Sequence, residues 1–138
     1  MIDRAALSTF FYNAGVSFLF THELDAMLRS EWRMLFVLGE LPDDTAAAWF
    51  VFLHLPVFLL VLYLGNSNRS VLRLSFRRAI SAFLVIHGGL HLHLAEDARN
   101  EFTGLLSALY IALAAACGLA YLLCWWRGNE ERRDESHG

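Results

Sequence analysis

The sequence predicts an all-α integral membrane protein, a bundle of four transmembrane helices with a short interfacial helix between the first two spans. Three observations carry that expectation. Of 138 residues, 57% are hydrophobic and 14% aromatic, with a mean hydropathy of +0.42, which is too apolar for a soluble domain of this length. The apolarity is concentrated in four windows, about 5–28, 45–65, 74–95 and 102–126. Each is roughly 20 residues long, enough to cross a ~30 Å hydrocarbon core as a helix. Finally, all eleven basic residues are Arg, and they segregate. With the N-terminus cytoplasmic, eight lie inside and only Arg29, Arg33 and Arg99 outside, as the positive-inside rule favours. Nine of the fourteen acidic residues fall in or beside the outer connections, so the net charge of −3 hides a polarised molecule. No basic surface points to nucleic acid as a partner. A bacterial plasma membrane with both termini cytoplasmic is the expected location.

The first span, 5–28, carries one Arg ahead of its apolar run, has no clear small-residue cleavage site and continues into a polar cluster, unlike a signal peptide. The following "SEWRMLFVLGELPDD" sets Trp32, Leu35, Phe36 and Leu38 among charges at helical spacing, which predicts an interfacial helix over about 31–40. In it, Glu31-Trp32-Arg33 reads as an interfacial anchor and ion pair. Pro42 stops that helix, and Asp43 or Asp44 can cap the second span, 45–65. Within the second span, Pro56 removes a backbone donor near His54. Gly65-Asn66-Ser67-Asn68 is a turn, and the Arg-rich 69–78 stretch suits lipid phosphates or solvent.

On the fourth span, Thr103, Ser107, Tyr110, Ala114, Cys117, Tyr121 and Cys124 share one face, a small and polar stripe suited to helix packing or to a partner subunit. The two cysteines lie seven residues apart, ~10 Å along one helix, too far for a mutual disulfide. They read as small packing residues. The membrane domain is 1–126, and the polar 127–138 is expected to be a disordered cytoplasmic tail.

Five of six histidines lie inside the apolar windows, where imidazoles are costly and mark functional sites. At 1.5 Å per residue, His54 is about 15 Å, His87 about 13 Å and His22 about 10 Å from the outer ends of their helices. Three helices thus bring His to the same outer half of the membrane. His87 and His91 are i, i+4, the spacing by which one helix offers two ligands, whereas His93 points elsewhere. His22 shares a face with Asp25, while Glu23 is turned by about 100° and aligns with Tyr12.

The expected metal ligands are therefore His22, His54, His87 and His91, with Asp25 as a further ligand or an acceptor behind them. Glu23 and Asp25 are the candidate acid–base groups, with Tyr12 as a donor below. Imidazoles with a carboxylate suit zinc or a non-haem iron. Such a site fits a metal-dependent enzyme hydrolysing or oxidising a lipid or other lipid-soluble substrate, with Arg29 and Arg33 holding an anionic headgroup. Two other classes fit the same residues. A metal-free isomerase or cyclase would use Glu23/Asp25 as acid–base and Tyr12, Phe11, Phe50 and Trp49 to shelter a cation. A non-enzymatic accessory subunit, sensor or carrier would use the histidines as a cofactor site or as stepping stones, with a homo-oligomer or partner membrane subunit on the fourth helix.

The segments "THELDAMLRSEWRMLFVL", "LPDD", "FVFLHLPVFLL" and "LVIHGGLHLHL" together resemble an uncharacterised family of small bacterial four-span membrane proteins. That family has a THELDA…EWR signature, a His-x-Pro motif and a His-rich third helix. The resemblance covers about 8–115. It implies a four-helix membrane protein whose recurring polar positions map here to His22, Glu23, Asp25, Glu31, Trp32, Arg33, His54, Pro56, His87 and His91. It implies no particular reaction.

Overall fold

The structure is a computed structural model that describes residues 3–95 and 104–135, with side chains as far as residue 128. Among these residues it is all-helical: α1 (Arg4–Leu28), two 3-10 turns (Glu31–Met34 and Leu38–Glu40), α2 (Asp43–Gly65), α3 (Ser70–His93) and α4 (Leu105–Glu135). The helices fall on the four apolar windows. At its C-terminal end α4 passes the expected boundary at 126, so residues 127–135 of the polar tail continue as helix. Glu96, Asp97, Arg99 and Thr103 lie outside the described residues.

Two helices, Asp43–Gly65 and Leu105–Gly128, are long and apolar enough to cross a membrane; four were expected. The reason lies in what α1 and α3 carry. Tyr12, Asn13, Ser17, Thr21 and His22 dilute the apolarity of α1 before its acidic end, and α3 begins with Arg73, Arg77 and Arg78 and ends in three histidines. Among these, Tyr12 and His22 of α1 and Arg77 of α3 are buried, whereas Asn13, Ser17 and Thr21 are exposed.

The interfacial helix over 31–40 does not form as one piece. Arg29 ends α1 by donating its backbone N–H to the carbonyls of Ala26 and Asp25, and Ser30 then takes a left-handed conformation (φ 53°, ψ 39°). That reversal turns the next residues back over the helix ends, where Leu35 is extended and separates the two 3-10 turns. Trp32 and Leu38 pack with Ala26, Ala46 and Phe50 into an apolar plug beneath the segment. Gly39 is held so tightly that a Cβ there would lie 2.7 Å from the Arg33 carbonyl oxygen. Asp43 does not act as a cap. Arg33 engages it by two hydrogen bonds of 3.2 and 2.7 Å, and Pro42 stands at the N-cap instead.

The core is a tight α1–α3–α4 arrangement made close by small residues. A Cβ on Gly15 would meet Leu84 Cδ1 at 2.8 Å, and one on Gly118 the Ser81 carbonyl oxygen at 2.6 Å. The small stripe of α4 thus faces inward: Ser107, Ala114 and Tyr121 are buried and Cys117 packs against Gly15, leaving little of that stripe for a partner. Helix α2 is peripheral. Only 11% of its apolar window is buried, and Phe52, Leu55, Leu59 and Tyr63 project outward. It joins α1 through Phe20 stacked on Phe58 at 4.0 Å, and through the inner-end clamp described next.

Arg77, expected among headgroup-facing arginines, is buried. Its guanidinium donates to the Gly65 carbonyl at the end of α2 and to Thr9 Oγ1 of α1, and lies 4.7 Å over the Tyr12 ring. Cations at a helix C-terminus satisfy its orphan carbonyls and oppose its dipole.

Candidate metal centre

His22 is fully buried where α1 crosses α3. One turn apart on α3, His87 and His91 face it: ring centroids lie 5.1 Å (His22–His87), 4.8 Å (His22–His91) and 4.6 Å (His87–His91) apart. One nitrogen from each imidazole lies within 4.8 Å of the others, so the three could hold a metal ion. A tetrahedral zinc with bonds of about 2.0–2.1 Å sets its ligand atoms about 3.3 Å apart, so the widest of these spacings must close for the three to share one ion. The donor set fits: His87 Nε2 is buried with no hydrogen-bond partner among the described residues, and its ring is held in place by stacking on Phe83 at 5.2 Å.

A carboxylate that the sequence reading left at the interface joins this group. Glu31, on the first 3-10 turn, is buried, with Oε2 3.7 Å from His22 Nε2 and Oε1 3.7 Å from His91 Nε2. Burial pushes its carboxyl up to about 7, and the nearby Glu23 charge adds to that rise. The expected Glu31–Arg33 ion pair is replaced by Arg33–Asp43, which frees Glu31 to turn inward.

His54 and Asp25, expected as ligands, lie outside the three-histidine group. His54 reaches Glu23 instead, Nε2 to Oε2 at 2.9 Å, while its Nδ1 donates to the Phe50 carbonyl at 2.6 Å. A carbonyl oxygen only accepts, so Nδ1 carries a proton and the His54–Glu23 contact shares another. Phe50 and Phe58 flank the ring at 4.4 and 5.5 Å. The pair opens on a groove of about 240 Å³ between α1 and α2, lined also by Leu24, Met27 and Leu55. Asp25 accepts a hydrogen bond from Ser107 Oγ and lies 3.7 Å from Arg29 Nε, tying α1 to α4.

Tyr12 is at the other end of the bundle. It shares a helix face with Glu23, but eleven residues separate them by about 16 Å. Its hydroxyl donates to Val61 O at 3.4 Å, and its ring supports Arg77. Arg29 and Arg33 lie just beyond the C-terminal end of α1, where Arg33 is committed to Asp43 and Arg29 lies beside Asp25. His93 is exposed. A second groove, about 380 Å³, runs between α3 and α4 past Val85, Gly89, Leu92, Ala112 and Ala115 and reaches His91. Of the two grooves, the α3–α4 one touches the cluster, at His91, and the α1–α2 one touches the Glu23–His54 pair.

The chain belongs to a family of unknown function, DUF6713, whose model matches residues 8–128 and so includes every residue of this centre. No curated protein and no solved structure matches it.

Proposed function

We propose that this member of DUF6713 is a four-span membrane protein that binds one zinc or non-haem iron ion on His22, His87 and His91. In this reading it is an enzyme that hydrolyses or oxidises a lipid-soluble substrate in the outer half of the bilayer. The observation that carries the proposal is the meeting of three imidazoles from two helices, with ligand atoms within 4.8 Å of one another. Three imidazoles with room for a further ligand suit a catalytic ion better than a closed structural one. When bound, such an ion supplies Lewis acidity and acidifies a coordinated water.

The chain's own groups supply the rest. Glu23, in contact with His54, is the acid–base pair of this reading and faces an apolar groove through which a substrate could arrive from lipid. Apolar walls exclude water and strengthen the electrostatics inside. Arg29 lies at the rim, where an anionic headgroup would sit.

The four-span topology is supported by packing. If α2 and α4 cross the bilayer, α1 and α3, of similar length and packed along α4, share the same slab. The Arg distribution then sets both termini in the cytoplasm. A carrier is disfavoured, because beneath the cluster the interior is filled by Leu19, Leu84 and Ala114. The Glu23–His54 pair favours one second reading, a metal-free acid–base isomerase. Elemental analysis of detergent-purified protein separates the two. Near-stoichiometric metal in the wild type, lost in His22→Ala and His87→Ala, is expected. A folded wild type that takes up no zinc or iron on reconstitution would refute the metal reading.

A further inference from the structure

We infer that Glu31 is the fourth ligand of the metal centre, so that the 3-10 segment between α1 and α2 closes the site from the outer surface. This rests on the three-histidine reading and goes beyond it. The geometry is specific. Each Glu31 oxygen approaches a different histidine, Oε2 toward His22 Nε2 and Oε1 toward His91 Nε2, both at 3.7 Å. Neither approach is a hydrogen bond, which would need about 3.2 Å or less. Both are close to the edge length of about 3.3–3.5 Å between nitrogen and oxygen ligands on one tetrahedral ion. The carboxylate therefore stands near the spacing of a shared cation from two of the three imidazoles, those of His22 and His91.

Burial points the same way. Glu31 is 9% exposed and its Oε2 has no hydrogen-bond donor among the described residues. Buried carboxylates are ordinarily paired or bound to a metal. The segment that carries Glu31 is fixed rather than loose. Left-handed Ser30 reverses the chain, Trp32 is buried beside Phe50 at 6.1 Å, and Arg33 is clamped to Asp43. With the segment so placed, Glu31 lies on the side of the histidines. His22 and His91 come from different helices, so a ligand from a third element would complete a site that no single helix could assemble. The resulting set, three neutral imidazoles and one carboxylate, suits zinc or iron and offers nothing to thiophilic ions.

Cobalt(II) titration of the full chain in detergent tests this, because the visible spectrum of cobalt reports coordination number and donor type. The wild type should bind one equivalent with five-coordinate absorption, from three imidazoles, the carboxylate and the water that the proposed chemistry requires. Glu31→Gln should weaken binding by roughly 100-fold or more, since even outer-shell partners contribute 10–100-fold. It should also shift the spectrum as water replaces carboxylate. Glu31→His supplies a ligand in place of a ligand and should recover affinity with an all-nitrogen spectrum. Affinity and spectrum unchanged in Glu31→Gln, while His87→Ala loses binding, would overturn the assignment and leave the three-histidine site standing. Equal loss in Glu31→Gln and Glu31→His, with helical content retained, would also overturn it, because a positional role would then explain both. A wild type that binds no cobalt takes down the three-histidine reading itself along with this inference.

Discussion

Three glycines in α3 and α4 face very different surroundings, and the same substitution should therefore change sign among them. A Cβ at Gly118 would sit 2.6 Å from the Ser81 carbonyl oxygen and 3.0 Å from Leu84 Cβ, both on the rigid face of α3. At Gly88 it would meet Ala115 Cβ at 2.8 Å, and at Gly89 nothing within 4 Å. Replacing a helical Gly by Ala gains about 1 kcal/mol of helix propensity. Overpacking costs about 1–3 kcal/mol, and more where the clash is with backbone. Gly89→Ala should therefore stabilise by about 0.5–1 kcal/mol, and Gly118→Ala should destabilise by about 1–2 kcal/mol net, with Gly88→Ala between them. Relieving the Gly118 clash to ordinary contact requires α3 to withdraw from α4, which carries His87 and His91 away from His22. Metal affinity should fall with stability in Gly118→Ala and hold in Gly89→Ala. Thermal unfolding in detergent, followed by circular dichroism beside metal titration, reads both. Equal effects of the two substitutions, or a stabilised Gly118→Ala, would refute the packing that brings the three histidines together.

Further outcomes follow from individual contacts. His93→Ala should leave metal content unchanged, whereas His91→Ala should abolish it; elemental analysis of the pair distinguishes a cluster ligand from an exposed histidine two residues away on another face. Asp43→Ala should leave the thermal unfolding midpoint nearly unchanged, because its pair with Arg33 is solvent-exposed. Arg77→Met should cost more, about 1–3 kcal/mol, since it leaves the Gly65 carbonyl unpaired in a buried clamp. It should leave metal stoichiometry intact in any folded fraction, because that clamp lies at the far end of α1. Tyr12→Phe should likewise spare metal binding; a lost metal there would contradict the depth separation.

What the sequence made legible was depth and period. The apolar windows located all four helices, counting residues brought three histidine-bearing helices to one level, and i, i+4 spacing paired His87 with His91. Adjacency was beyond it. His22 and His54 stand at similar depth, yet α1 turns His22 to α3 while His54 meets Glu23, because α2 packs at the periphery. Face analysis correctly aligned Tyr12 with Glu23 but took alignment for proximity. Glu31 was missed for a local reason. A periodic apolar pattern over 31–40 suggests one amphipathic helix with its charges outward, and only the left-handed Ser30, fixed by the plug around Trp32, inverts that orientation. Asp43 was read as a cap because nothing in the sequence shows that Arg33 folds back over it. The polar tail gave no apolar signal, so its helical continuation to Glu135 was not visible.

The most direct test of a metal held by His22, His87 and His91 is X-ray absorption at the zinc edge of the reconstituted, detergent-purified chain. The expected spectrum has a first shell of nitrogen and oxygen at about 2.0–2.1 Å, with no sulfur at about 2.3 Å, and outer-shell scattering from three imidazoles. His87→Ala should lose one of these rings or the metal altogether. A spectrum of hydrated zinc with no imidazole scattering, or one unaltered in His87→Ala, would contradict it.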